Sequence, residues 1–206
     1  MARIYVEMAF EFSSAFHTSG NRAELWVDKC LNLEDGELVI PATSIKGWMR
    51  ENAEKTLRGL GCKVCDGSTP RTQCGECIVC KVFGSYMRRA PVRFHDARVR
   101  EGYVVESRTG VSLSRFRRTA LERRLFTQEA AWVEEVKFTV DGFFPSEEEA
   151  KSAVALLWLS AKVGVAMGAS KTRGLGWLSL REFKAKVDGR EVGEEEVASI
   201  VEGWVQ

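Results

Sequence analysis

Apolar residues alternate with polar or smaller ones over the first dozen positions: Ile4, Val6, Met8, Phe10 and Phe12 fall on one side of an extended chain. A period of two is the signature of a half-buried β-strand. The polar, glycine-containing stretch Ser13–Arg22 predicts a loop, and Leu25–Leu33 and Glu37–Ile40 predict short strands around the turn Glu34-Asp35-Gly36. After Pro41 the period becomes helical through about Leu60, with Ile45, Trp48, Met49, Ala53 and Leu57 as its apolar stripe and Thr43 or Ser44 placed as N-cap. Val92–Val104 reads as extended chain, residues 107–129 show no clear period, and Ala131–Phe143 alternates again. Ser146 is placed to cap a helix that carries Glu147, Glu148 and Glu149 in its first turn, where the helix dipole favours acids. A strand over Trp177–Val187 and an acidic helix over Gly193–Trp204 complete the pattern.

The order strand, helix, strand, strand, helix, strand predicts an α+β, ferredoxin-like domain, the layout of RNA-recognition (RRM-like) modules. It is expected as one domain over residues 1–206, with insertions at about 61–82 and 105–130. The absence of a long apolar run, and acidic Glu7 and Glu11 interrupting the first apolar stretch, predict a cytoplasmic protein without a signal peptide.

Net charge, +1, is uninformative, but its distribution is not. Eleven arginines and no lysine lie between Met87 and Arg124, against four acids, while acids cluster at Glu147–Glu149 and Glu191–Glu196. Segregated guanidinium groups predict a polyanion on one face, the alternative being a solvated basic surface.

Three constellations carry candidate chemistry. Cys62-x-x-Cys65 and Cys74-x-x-Cys77-x-x-Cys80 place five cysteines in nineteen residues of loop-forming sequence, the spacing of a tetrahedral zinc site. The expected ligands are Cys62, Cys65, Cys77 and Cys80, with Cys74 as substitute; a cluster of reduced thiols is the alternative. The second is the segment from Gly168 to Gly176, Gly-Ala-Ser-Lys-Thr-Arg-Gly-Leu-Gly, where positive φ allows backbone amides to approach an anion and Lys171 and Arg173 supply charge. It is not a P-loop, because no Gly-Lys-Ser/Thr opens a helix. The third is the helix start Ile40-Pro-Ala-Thr-Ser-Ile-Lys-Gly47, where hydroxyls and amides either bind phosphate or simply cap the helix.

In order, Ile-Pro-x-x-Ser-Ile-Lys-Gly, a Cys-x-x-Cys leading into Val82-Phe83-Gly84, Arg115-x-Arg117-Arg118-Thr-Ala before Leu125-Phe126, and Gly168-x-Ser-x-x-Arg-Gly-x-Gly176 resemble the RAMP superfamily. The resemblance is to the repeated backbone subunit of type III CRISPR effector complexes, over roughly residues 1–182. It implies an RRM-like protein that lines up head to tail on CRISPR RNA, alongside other effector subunits, and kinks the guide–target duplex with a hairpin thumb. Carried onto this chain, Ser44, Lys46 and Arg50, and Lys171, Arg173 and Gly174 of the glycine loop, would contact guide backbone, and Arg115, Arg117 and Arg118 would lie in the thumb. Asp28 would be the catalytic aspartate for cleavage of target RNA, with or without a divalent ion such as Mg²⁺, and His17, near the start of the same loop, would be catalytic with it; Glu34 and Asp35 compete for the acidic role. A non-catalytic assembly subunit and a CRISPR RNA-processing endonuclease are the alternative functions.

Overall fold

The computed structural model describes residues 1–20 and 22–204. Its elements are β1 (Ala2–Phe12), β2 (Leu33–Glu34), β3 (Glu37–Ile40), α1 (Ala42–Gly59), α2 (Ile78–Phe83), β4 (Val92–Phe94), β5 (Ala97–Val99), β6 (Tyr103–Leu113), β7 (Ala120–Val133), β8 (Glu135–Phe144), α3 (Glu147–Lys162), β9 (Leu178–Val187), β10 (Arg190–Val192) and α4 (Glu194–Glu202). The main sheet runs β10-β9-β1-β8-β4, with every neighbouring pair antiparallel. β1 lies at its centre, Met8 opposite Phe138 on one side and Phe183 on the other.

The alternating positions of β1 face the helices. Ile4, Val6, Met8 and Phe10 are buried against α1 and α3, and Trp48 of α1 meets Phe10 edge-on with ring centroids 5.5 Å apart. Ser146 caps α3 as expected, accepting from the Glu149 amide at 3.2 Å. At α1 the expectation of a Thr43 or Ser44 cap fails. The helix begins two or three residues earlier, at Ala42 after Pro41, without a side-chain cap from its own N-cap residue. Asp96, distant in sequence, accepts from the Ala42 amide at 2.7 Å instead. A tertiary carboxylate thus does what a local hydroxyl normally does.

Three other expectations change. The extended stretch Val92–Val104 breaks into β4, β5 and the start of β6, because β5 leaves the main sheet to pair with β3. Leu25–Leu31 is loop, and only Leu33–Glu34 pairs with β3. The aperiodic arginine-rich stretch is a two-stranded ribbon, β6 with β7. No residue of its outer half is fully buried, so no core contact enforces a period of two; only its base, Gln128 to Ala131 and Val133, is buried. β6 alone spans eleven residues, roughly 35 Å of strand at the usual rise. No helix among the described residues is long and apolar enough to cross a membrane.

Candidate nucleic-acid interface and metal site

Segment Ala15–His17, just after β1, is the hub of the candidate interface. Phe16 exchanges both backbone hydrogen bonds with Ala131 of β7, at 2.8 Å each. On its other side the glycine loop docks: the Gly176 amide donates to Ala15 O at 2.8 Å and the Ala169 amide to His17 O at 3.0 Å. Two glycines make this approach possible. A Cβ at Gly168 would collide with His17 O and one at Gly176 with Met167 O, and both residues have positive φ.

His17 anchors this hub. It is fully buried, with Nδ1 bonded to Glu129 O at 2.6 Å and Nε2 to Ser19 Oγ at 2.9 Å. Asp28 is exposed, on a loop held against the ribbon base. Its Oδ2 accepts from the Thr127 amide at 2.7 Å, and its own amide donates to Thr127 O at 2.9 Å. The loop is pinned by Glu129, a buried carboxylate that accepts from Arg22 at 2.6 Å and from the Leu31 amide at 2.8 Å. Glu129 gives no signal in the sequence, since nothing local marks one acid of that aperiodic stretch as buried. Glu34 and Asp35 occupy a hairpin turn where Arg98 pairs with Glu34 at 2.6 Å.

The expected phosphate contacts divide between separate clefts. Ser44 and Lys171 line one of about 460 Å³ with His17, Trp48, Glu51 and Gly168. Lys171 lies 3.8 Å from Glu51 there. Arg173, two residues on, faces the ribbon: its guanidinium sits 5.1 Å over the Phe126 ring, in a cleft that Arg108 and Gln128 also line. Gly174 closes the short 3₁₀ turn Lys171–Arg173 with φ of 82°. Lys46 lines a further cleft on the opposite side of the α1 start. Burial, and then the charge of Arg50, push its ammonium below its ordinary pKa. The Arg50 guanidinium bonds Glu54 at 2.8 Å, Gly84 O at 2.9 Å and Cys80 Sγ at 3.9 Å.

Within the arginine-rich stretch, Arg93, Arg98, Arg100 and Arg108 are paired with carboxylates. Arg115, Arg117 and Arg118 are at the ribbon tip, in the turn closed by Ser114 N to Thr119 O at 2.9 Å, and have no carboxylate partner among the described residues. Phe116 between them is 97% exposed.

The cysteines fold back on α1. Cys65, Cys74, Cys77 and Cys80 have their sulfurs within 4.8 Å of one another, with Cys65 3.4 Å from Cys80 and 3.7 Å from Cys77. A tetrahedral zinc with ordinary Zn–S bonds needs sulfurs roughly 3.8 Å apart, so this set fits the ion. The expected ligand set is corrected at one position: Cys62 points away, donating to Trp204 O at 3.3 Å, and Cys74 takes its place. Amides of Cys77 and Glu76 donate to Cys74 Sγ at 3.3 and 3.5 Å and bring its thiol down to about 6. Burial pushes Cys65 up to about 12. A bound cation reverses that cost, because it selects the thiolate. The spacing of cysteines in the sequence could not choose between Cys62 and Cys74, since the turn Pro70–Thr72 that swings Cys74 inward has no periodic signature. Among the described residues this is the only group of three or more His, Cys, Asp or Glu side chains close enough to hold a metal, and Asp28 is not part of it.

No curated protein matches the chain. Among solved structures, a chain of the type III-B Cmr-β complex bound to cognate target RNA, determined by cryo-EM, superposes with a TM-score of 0.62 at 16% identity. The match covers 89% of this chain and 60% of that one, so this chain spans about three fifths of the length of its structural neighbour. The family model of the RAMP superfamily matches residues 10–179, taking in the hub, the cysteine cluster, the ribbon and the glycine loop. The chain belongs to the RAMP superfamily.

Proposed function

We propose that this protein is a CRISPR RNA-binding backbone subunit of a type III antiviral effector complex, built on a ferredoxin-like, RRM-like frame with the β6–β7 ribbon as its thumb. The observation that carries this reading is the convergence of the α1 start, the glycine loop and the ribbon base on segment Ala15–His17, with Lys171 and Arg173 facing two clefts at that junction. Clefts that carry a lysine or an arginine suit phosphates, and phosphate contacts hold a strand without reading its sequence. The neighbouring structure, a Cmr-β chain in a complex with target RNA, supports guide and target RNA, and other effector subunits, as partners. Self-association along the guide follows from the same reading, with zinc in the cysteine cluster bracing α1.

Target cleavage is assigned to Asp28, whose carboxylate would accept the proton of the attacking 2′-hydroxyl. A divalent ion such as Mg²⁺ at Asp28 would not be held by a cluster of three or more His, Cys, Asp or Glu among the described residues and would take ligands from RNA. The burial of His17 favours a second reading, the same subunit without chemistry, because Asp28 then acts without a histidine partner.

Charge removal tests the binding reading. The double variant Lys171→Ala/Arg173→Ala should weaken single-stranded RNA binding about tenfold or more at moderate salt. It should also flatten the dependence of log affinity on log salt by roughly 0.7 for each phosphate that is no longer neutralised. Titrations at four salt concentrations check this, and unchanged slope and affinity would remove the glycine loop from the interface.

A further inference from the structure

We infer that Glu54 is a positioning residue of the cysteine cluster: from α1 it holds Cys65 and Cys80 together, so metal affinity depends on a carboxylate that is not itself a ligand. This rests on the zinc reading of the cluster. Glu54 is the middle member of the stripe Arg50, Glu54 and Arg58, spaced one helical turn apart. Only 8% of it is exposed. A buried carboxylate is costly unless its oxygens are hydrogen-bonded. Glu54 meets that demand with three donors: Arg50 Nε to Oε1 at 2.8 Å, and Arg58 Nη2 and the Gly67 amide to Oε2 at 3.1 Å each.

Each donor leads on to the cysteines. Arg50 Nη2 reaches Cys80 Sγ at 3.9 Å, while its Nη1 donates to Gly84 O, just past α2, at 2.9 Å. Arg58 also donates to Cys65 O at 3.2 Å, and Gly67 stands two residues after Cys65. Cys65 belongs to the loop that follows α1 and Cys80 to α2, so no local geometry fixes their separation. One carboxylate gathers the groups that hold both, and their sulfurs lie 3.4 Å apart. The packing leaves no slack. A Cβ on Gly67 would run into Glu54 Oε1 and Arg50 Nε, so the loop lies directly on this network.

The charge fits as well. Four thiolates around a divalent cation keep a net negative charge, and the guanidinium that donates to Cys80 offsets part of it. A sulfur that accepts an N–H bond is held in one orientation and favoured as thiolate. Lysine at position 50 would keep the charge but lack the fork that reaches Glu54, Gly84 and Cys80 together.

Zinc competition against a chromophoric chelator tests this in the full-length protein, together with melting in the zinc-loaded and chelator-stripped states. Glu54→Gln keeps the side-chain shape but turns an NH₂ toward groups that donate, so zinc affinity should fall about 10- to 100-fold. The rise in melting temperature on adding zinc should shrink with it. Arg50→Lys should lose about tenfold, and cobalt(II) bound in place of zinc should show a shifted thiolate charge-transfer band in both variants. Lys55→Ala breaks only the exposed pair with Glu51 on the same helix, and should stay within about twofold of wild type. Equal loss of melting temperature with and without zinc, at wild-type zinc affinity, would make Glu54 a plain helix brace and overturn the inference. If Glu54→Gln does not fold, Arg50→Lys decides: wild-type affinity and an unshifted cobalt band in that variant overturn it. Wild-type protein that takes up no zinc would defeat the zinc reading together with the inference.

Discussion

Replacing Cys65 with serine is expected to empty the cysteine cluster of zinc, and replacing Cys62 is expected to leave it filled. Cys65 is the sulfur from which both 3.4 and 3.7 Å contacts radiate, while Cys62 spends its thiol on Trp204 O. The segment between Cys65 and Cys77 has few apolar anchors of its own, so the metal would supply most of its order. Its collapse would spread. Cys80 sits in α2 beside buried Val79, Val82 and Phe83, and Phe83 stacks on Phe94 of β4 at 6.0 Å. Glu54, Arg50 and the Gly67 amide tie the same segment to α1. Elemental analysis should give about one zinc per chain for wild type and Cys62→Ser and well under half for Cys65→Ser. Melting of Cys65→Ser should fall by about 10 °C, as a loss of about 3 kcal/mol produces in a chain of this size. Cys74→Ser should resemble Cys65→Ser. Zinc retained without Cys74 but lost without Cys62 would reverse the ligand assignment.

Replacing Asp28 by alanine or asparagine in a reconstituted effector complex is expected to abolish target-RNA cutting, by a factor of about 10² to 10⁴, with target binding within about twofold of wild type. Asparagine is the sharper variant. Its side-chain carbonyl can still accept from the Thr127 amide, which Asp28 does now at 2.7 Å, so the loop stays docked while the basic oxygen is gone. Glu129 and Arg22 hold the rest of that loop and are untouched. Undiminished cutting by both variants would leave the protein as a binding and assembly subunit, the reading that the enclosed His17 favours.

The residues that failed to announce themselves share one property: they act through distant partners. The frame of the fold was legible because β1 and β8 keep a period of two and α1 and α3 keep helical stripes, each imposed by one buried face. The ribbon was not, because a hairpin that leaves the body has no buried face to impose a pattern. Asp96 capping α1 across 54 residues, Glu129 pinning the loop of Asp28, and Cys74 displacing Cys62 are settled by the folded chain. In sequence, Thr43-Ser44-Ile45-Lys46 reads as one phosphate site, yet helical geometry assigns its serine and lysine to opposite walls. Arg50 follows the same motif and is drawn inward to Glu54 and Gly84.

The most direct test of the RNA-backbone account is to purify the protein with its natural assembly under native conditions and sequence the RNA that accompanies it. The account predicts RNAs of defined length that carry a constant repeat-derived segment joined to variable guide sequences, absent from the Lys171→Ala/Arg173→Ala variant. Random cellular fragments, or no RNA at all, would contradict it.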